Sequence, residues 1–193
     1  PRSTLFPYTT LFRSAAGRGS AVLFEIDGEQ WGITAAHVID HVRKIRVRQG
    51  RKAEFAVVML RDFRADIAIF KCLGGRVKGS ARFYHGPPVK IESPCLMVGN
   101  HFGYFSNIVT RGRVVWTSGK RAEWFDAPLL GTDCLASPGN SGGGLFDASG
   151  RCVGITVTST PSGLSFVVPI SWLGFDTGVF SIFRRVSSYS YDF

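Results

Sequence analysis

The chain has 193 residues, 45% hydrophobic and 19% charged, enough for one compact domain or two small subdomains sharing an interface. That apolar fraction excludes wholesale disorder, and no run approaches the roughly 18 apolar residues that a membrane span needs. The 23 basic and 14 acidic residues give a net charge of +9, and 23 glycines among many short apolar runs argue against a helical bundle.

Residues 1–14 read PRSTLFPYTTLFRS, and the codons of a common short-read sequencing adapter translate to the same string. The segment is expected to be a cloning or assembly scar outside the fold, with the native N-terminus and any signal or anchor lost. Without Arg2 and Arg13 the net charge is +7. From Gly19 onward strand-like runs follow one another at 20–27, 31–36, 44–48, 54–60 and 66–72. Others stand at 89–92, 95–99, 108–116, 143–147, 152–159 and 164–169. They are rich in Val, Ile, Phe and Thr, and turn residues such as Asp27-Gly28 and Ser149-Gly150 separate them. About a dozen short strands predict an all-β barrel or sandwich. The Gly/Pro-rich stretch 74–88 is the expected link between two halves. In the tail, Trp172, Leu173, Phe175, Val179, Phe180 and Phe183 outline a terminal helix, against which Gly174 and Gly178 weigh.

Arg46 and Arg48 alternate with Ile45 and Val47, the pattern of a strand with one wet face. No nucleic-acid motif accompanies the basic cluster at 43–52, so no nucleic-acid partner is expected; a basic barrel binding nucleic acid stays as a lesser alternative. Cys72, Cys95, Cys134 and Cys152 show neither C-x-x-C nor zinc-like spacing. They read as small buried residues, no structural metal is expected, and disulfide pairing is not legible from spacing.

The strongest chemical signal is Pro138-Gly139-Asn140-Ser141-Gly142-Gly143-Gly144. Glycines beside a serine let backbone approach a substrate carbonyl and free N–H groups for an oxyanion. The same string fits the nucleophile elbow of α/β-hydrolases, but those need a histidine after the serine. Here His37, His41, His85 and His101 all precede Ser141. The orders His…Asp…Ser and Asp…His…Ser survive. His37 follows the strand-like Gly32-Ile33-Thr34-Ala35-Ala36, and Asp66 precedes Ile67-Ala68-Ile69-Phe70. Asp62 competes for the acid role but lacks the following Ile-Ala-Ile pattern.

TAAHV, ADIAIFK, VGNHFGYFSNIVTRGRVV, TDCLASPGNSGGGLFD and VGITVTSTPSGLSFVVPI together resemble the HtrA-type trypsin-like serine proteases. The likeness runs over roughly residues 17–173. It implies two antiparallel six-stranded Greek-key barrels of the chymotrypsin fold, at 15–80 and 81–173, with the active site in the cleft between them and a tail at 174–193. Carried over by position, it makes Ser141 the nucleophile, His37 the general base and Asp66 the orienting carboxylate. It places the oxyanion hole at Gly139, Asn140 and Ser141. It lines the substrate pocket with Leu135, Ala136 and Ser137 on one wall and Val157, Thr158, Ser159 and Leu164 on the other.

The implied activity is a serine endopeptidase on protein or peptide substrates, preferring small or medium aliphatic side chains before the cut and needing no cofactor. A latent or non-catalytic protein of the same fold is the alternative. Members of the family are often exported and trimeric, so the resemblance is compatible with an exported or periplasmic setting and a homo-oligomer, while the sequence itself gives neither compartment nor oligomeric state. Departures stand out as well. Val38 replaces the half-cystine that animal relatives carry beside the catalytic histidine. Asn140 replaces the aspartate of secreted zymogens. His101 replaces a proline and reads as a loop residue. No PDZ-like domain follows within the sequence, so tethering through one is not expected.

Overall fold

The computed structural model describes residues 9–13, 17–102, 105–122 and 125–173. The first six strands are β1 (Thr9–Arg13), β2 (Arg18–Ile26), β3 (Glu29–Ala35), β4 (Lys44–Gln49), β5 (Lys52–Asp62) and β6 (Ile67–Cys72). They close into an antiparallel barrel in the order β1-β2-β3-β6-β5-β4. The next six are β7 (Pro94–His101), β8 (Phe105–Ala122), β9 (Phe125–Thr132), β10 (Gly144–Asp147), β11 (Cys152–Ser159) and β12 (Ser165–Pro169). They form a second closed barrel, β10-β11-β12-β9-β8-β7. Two four-residue helices complete the described chain, α1 (Ala36–Ile39) after β3 and α2 (Ile170–Leu173) after β12. Among the described residues no helix is long and apolar enough to cross a membrane.

The hydrophobic pattern explains which faces are covered. β4 alternates, with Ile45 and Val47 buried and Lys44, Arg46 and Arg48 exposed, as expected of a barrel strand with one wet face. β2 is instead buried from Gly19 through Phe24. One face fills its barrel and the other packs against the linker and the second barrel. Leu23, Ile33 and Phe70 of the first barrel and Phe146 of the second lie in one continuous core.

Three differences from the sequence reading have local causes. Thr9–Arg13, set apart with the scar, forms β1, pairing with β2 at Leu11↔Ser20 and with β4 at Leu11↔Arg48. Main-chain pairing asks only for β-compatible residues, and Thr-Thr-Leu-Phe-Arg supplies β-branched and aromatic ones. Residues 89–92, read as a strand, contain a turn at Ile91-Glu92, with Glu92 at φ +71°. Pro87, Pro88 and Pro94 bracket the stretch and take N–H donors out of any ladder. β9 was not anticipated because Pro128 interrupts its apolar run. It pairs with Arg121 where the β8–β9 register shifts, a place where a strand proline is tolerated. The tail at 174–193 lies outside the described residues.

The connection between barrels, residues 73–93, is stitched to both. Gln30 is buried, donating to the carbonyls of Phe24 (2.6 Å) and Gly79 (2.7 Å) and accepting the Gly79 N–H (2.9 Å). The buried Glu54 carboxylate accepts the Arg76 N–H at 2.6 Å. Farther on, Tyr84 N–H donates to the Cys152 carbonyl and Cys152 N–H to that of Arg82.

Replacing Gln30 with Leu strands the Gly79 amide and two carbonyls in an apolar setting. The expected loss is about 2–4 kcal/mol, read as a lower urea midpoint at an unchanged m-value.

Candidate active site

His37 sits in α1, directly after β3, so its ring stands at the rim of the first barrel. Asp66 lies one residue before β6, at φ +52°, a left-handed conformation that aspartate tolerates better than most residues. β3 and β6 are neighbours, pairing Ala35 with Ile67, which brings the two side chains together. The Asp66 carboxylate grips His37 twice. One oxygen accepts the ring Nδ1–H at 2.6 Å and the other accepts the His37 backbone N–H at 2.8 Å. The Asp66 carbonyl also accepts the Ala36 N–H. Asp66 is 13% exposed and His37 50%. The acid is therefore sheltered while the imidazole reaches the cleft with Nε2 outward. Asp62, the competing acid, accepts the N–H groups of Arg64 and Ala65 and shapes the turn leading to Asp66.

Ser141 stands on the second barrel, in the loop before β10. His37, Asp66 and Ser141 line one cleft of about 440 Å³ between the barrels, together with Ala136, Ser137, Pro138, Asn140 and Thr156–Ser159. The loop from Ser137 to Gly143 is held from several sides. The Phe102 N–H donates to the Pro138 carbonyl at 2.5 Å. The peptide is trans, so the Gly139 N–H points the opposite way. Gly139 turns at φ +96°, which glycine alone adopts at no cost. The Ser20 hydroxyl donates to the Gly139 carbonyl at 2.7 Å, and the Ser20 N–H to the Ser141 carbonyl at 2.9 Å. Gly142, at φ +84°, lies so close to Ser20 and Thr34 that a Cβ would collide with both.

A family model for the trypsin-like peptidase domain matches residues 19–155. The chain belongs to that family. A relative described as a probable periplasmic serine endoprotease, DegP-like, from Pseudomonas savastanoi pv. phaseolicola is 32% identical over 164 residues. The match covers 82% of this chain and 33% of the relative, so the chain spans about a third of the length of such curated relatives. The serine endoprotease of Yersinia pestis superposes with a TM-score of 0.76 at 24% identity, covering 93% of this chain and 64% of that one. An inactive form of Rv3671c from M. tuberculosis H37Rv gives 0.76 at 19% identity, covering 97% and 90%. These likenesses carry the two-barrel fold. The chain is a trypsin-like peptidase domain, similar in sequence to the DegP-like relative and in fold to the Yersinia pestis enzyme.

Within this protease domain the expected site residues divide. His37, Asp66, Ser141, Ala136, Ser137, Val157, Thr158 and Ser159 meet in the cleft. Leu135 does not line it; its side chain is 59% exposed and its carbonyl accepts the Thr110 hydroxyl. Leu164 belongs to the β11–β12 hairpin turn, exchanging hydrogen bonds with Thr160. Asn140 differs from its expected oxyanion role. Its N–H donates to the Ser137 carbonyl at 3.0 Å, closing a turn. Its buried side chain donates to His101 Nε2 at 3.1 Å.

Sequence reasoning missed Ser20, Asn100 and Phe102. Asn100 is fully buried and donates its backbone and side-chain N–H to the Ser20 hydroxyl at 2.8 and 3.0 Å. The available signal was a polar residue opening the otherwise apolar run 21–24. His101, read as a loop residue, ends β7 and backs the 137–143 loop through Asn140.

Ser20→Ala leaves the Gly139 carbonyl and two Asn100 donors unpaired. The expected result is a loss of about 2 kcal/mol in stability and about a tenfold fall in kcat with little change in KM, read by denaturation and steady-state kinetics. His101 is shifted down from the ordinary histidine pKa by burial. Its folded form therefore disfavours the proton, and that contribution to stability is lost as pH falls through the ordinary histidine range and below. His101→Gln is expected to flatten the decline in Tm between about pH 7 and pH 5.

Proposed function

We propose that this domain cleaves peptide bonds by acyl transfer through Ser141, His37 and Asp66. Ser141 Oγ attacks the scissile carbonyl and His37 Nε2 takes its proton. Asp66 keeps Nδ1 protonated and stabilises the imidazolium. The N–H groups of Gly139 and Ser141 face the developing oxyanion. His37 then returns the proton to the leaving amine, and water releases the acyl group by the same route.

The observation that carries this reading is the double grip of Asp66 on the ring and backbone of His37, in a cleft shared with Ser141. It supports the tautomer a general base needs, with Nδ1 protonated and the other ring nitrogen free to take a proton.

The substrates are protein or peptide segments entering the cleft extended. Ala136, Ser137, Val157, Thr158 and Ser159 provide a small, mostly uncharged lining, which favours small or medium aliphatic side chains before the cut. Asp133, the nearest acid along the chain, has its carboxylate on the Arg113 N–H at 2.6 Å. The DegP-like relative is described as periplasmic, and we place this domain in an exported setting on that ground. Side chains and amides of the cleft supply all the chemistry of these steps.

Fluorophosphonate labelling of the folded chain is expected to modify Ser141 and to vanish in Ser141→Ala and His37→Ala. Asp66→Asn, which presents the wrong tautomer, is expected to lower kcat by about 10⁴. Wild-type protein that folds but does not label would overturn the reading. A peptide panel won by Arg or Lys before the cut would overturn the pocket preference.

A further inference from the structure

We propose that Cys95 and Cys134 are an oxidation site, a buried dithiol that a small peroxide converts to a disulfide fastening the substrate-pocket wall to β7. The two sulfurs stand 3.6 Å apart. Both residues lie in the second barrel's core, beside Met97, Leu145 and Val153. Cys95 belongs to β7 and Cys134 to the loop after β9, so the fold brings them together from distant parts of the chain. A disulfide needs about 2.05 Å between sulfurs. The sulfurs must close by about 1.6 Å to bond.

The neighbours favour the reaction. Thr132 Oγ1 lies 3.2 Å from the Cys95 sulfur and accepts the Cys134 N–H at 3.1 Å. The contact between the two sulfurs shifts Cys134 toward the thiolate and holds Cys95 as the thiol, and the Cys134 sulfur also lies 3.7 Å from the Cys95 carbonyl. Cys72 and Cys152 contrast with Cys134, since burial pushes both of their thiols up, Cys152 to about 12. Cys95 lines a cleft of about 330 Å³ bordered by Tyr84, Pro87, Ala148 and Arg151, and the Cys134 sulfur is fully buried 3.6 Å behind it, so a peroxide comes to Cys134 past the Cys95 side chain.

The chemistry balances in two steps. The Cys134 thiolate attacks one peroxide oxygen, the O–O bond breaks, and hydroxide leaves with the proton that Cys134 had shed. Cys134 is then a sulfenic acid. The Cys95 sulfur attacks the Cys134 sulfur, the S–O bond breaks, and the Cys95 proton leaves with that oxygen as water. Two thiols and one peroxide give one disulfide and two waters; the sulfurs are oxidised and the peroxide is reduced.

Cys134 opens the stretch that continues through Ala136 and Ser137 of the cleft to Ser141. Its carbonyl already accepts the Ser165 hydroxyl at 2.8 Å. A covalent tie here closes a loop of about 40 residues in the unfolded chain and raises Tm by about 10 °C.

The test needs no protease activity, so its outcome is independent of the proposed reaction. The folded wild-type chain is treated with hydrogen peroxide, alkylated, and examined by intact mass, peptide mapping and thermal melting. The expected result is loss of two hydrogen atoms, a linked Cys95–Cys134 peptide and a Tm about 10 °C higher, reversed by dithiothreitol. Cys95→Ala and Cys134→Ala are expected to lose the peroxide-induced rise. If either variant fails to fold, the wild-type mapping and melt decide alone. Oxidation confined to Cys72 or Cys152, no cross-link, or a cross-link without a rise in Tm would each overturn the proposal.

Discussion

The proposed triad is divided between two barrels, so its geometry depends on how firmly one barrel holds the other's nucleophile loop. Ser20 is where that hold is concentrated. Its N–H, hydroxyl and carbonyl engage Ser141, Gly139 and Thr34, and its hydroxyl also receives Asn100. Ser20, Thr34 and Asn100 are fully buried, where an unmade hydrogen bond costs more than a made one gains. The arrangement leaves little slack. Gly142 must be glycine because the Ser20 carbonyl and the Thr34 hydroxyl occupy the space a Cβ would need. On the opposite side, the Phe102 N–H fixes the Pro138 carbonyl and thereby the direction of the Gly139 amide. The nucleophile loop is thus clamped between a first-barrel strand and the end of β7.

Most of the fold was legible because barrel strands carry their signal locally. β-Branched runs closed by Asp-Gly or Ser-Gly turns identify β2 to β6 and β10 to β12 within a residue or two. β9 escaped because Phe125–Thr132 contains Pro128 and Gly131, and its pairing with β8 and β12 is a tertiary fact. β1 escaped for another reason. Its origin was argued from the string itself, whereas pairing depends on main-chain groups that any such string supplies. The turn at 91–92 shows the converse, where local apolar alternation was overruled by flanking prolines.

For the site, residue type and chain order were enough to single out His37, Asp66 and Ser141 and to bring the HtrA resemblance into view. What sequence cannot carry is direction. Leu135 and Leu164 lie beside pocket residues in sequence, yet one side chain faces solvent and the other sits in a hairpin turn. Asn140 lies between Gly139 and Ser141, yet its amide closes a turn and its side chain points into the barrel toward His101. Ser20 has no motif of its own, because its role is defined by partners about 80 and 120 positions away.

The register of β1 has a mechanical meaning. Leu11 pairs with Ser20 on one side and with Arg48 on the other, and β1 also touches β7 and β8 of the second barrel. β1 is therefore a strut between the barrel seam and the residue that steadies the nucleophile loop. Tension applied ahead of Thr9, by a fused tag, a tether or a surface attachment, travels along one hydrogen-bonded ladder to the carbonyls of Gly139 and Ser141. At the other end of the described residues, α2 packs on β11 and β12. For immobilised or fused forms of this domain, an attachment ahead of β1 is one whose load the cleft bears.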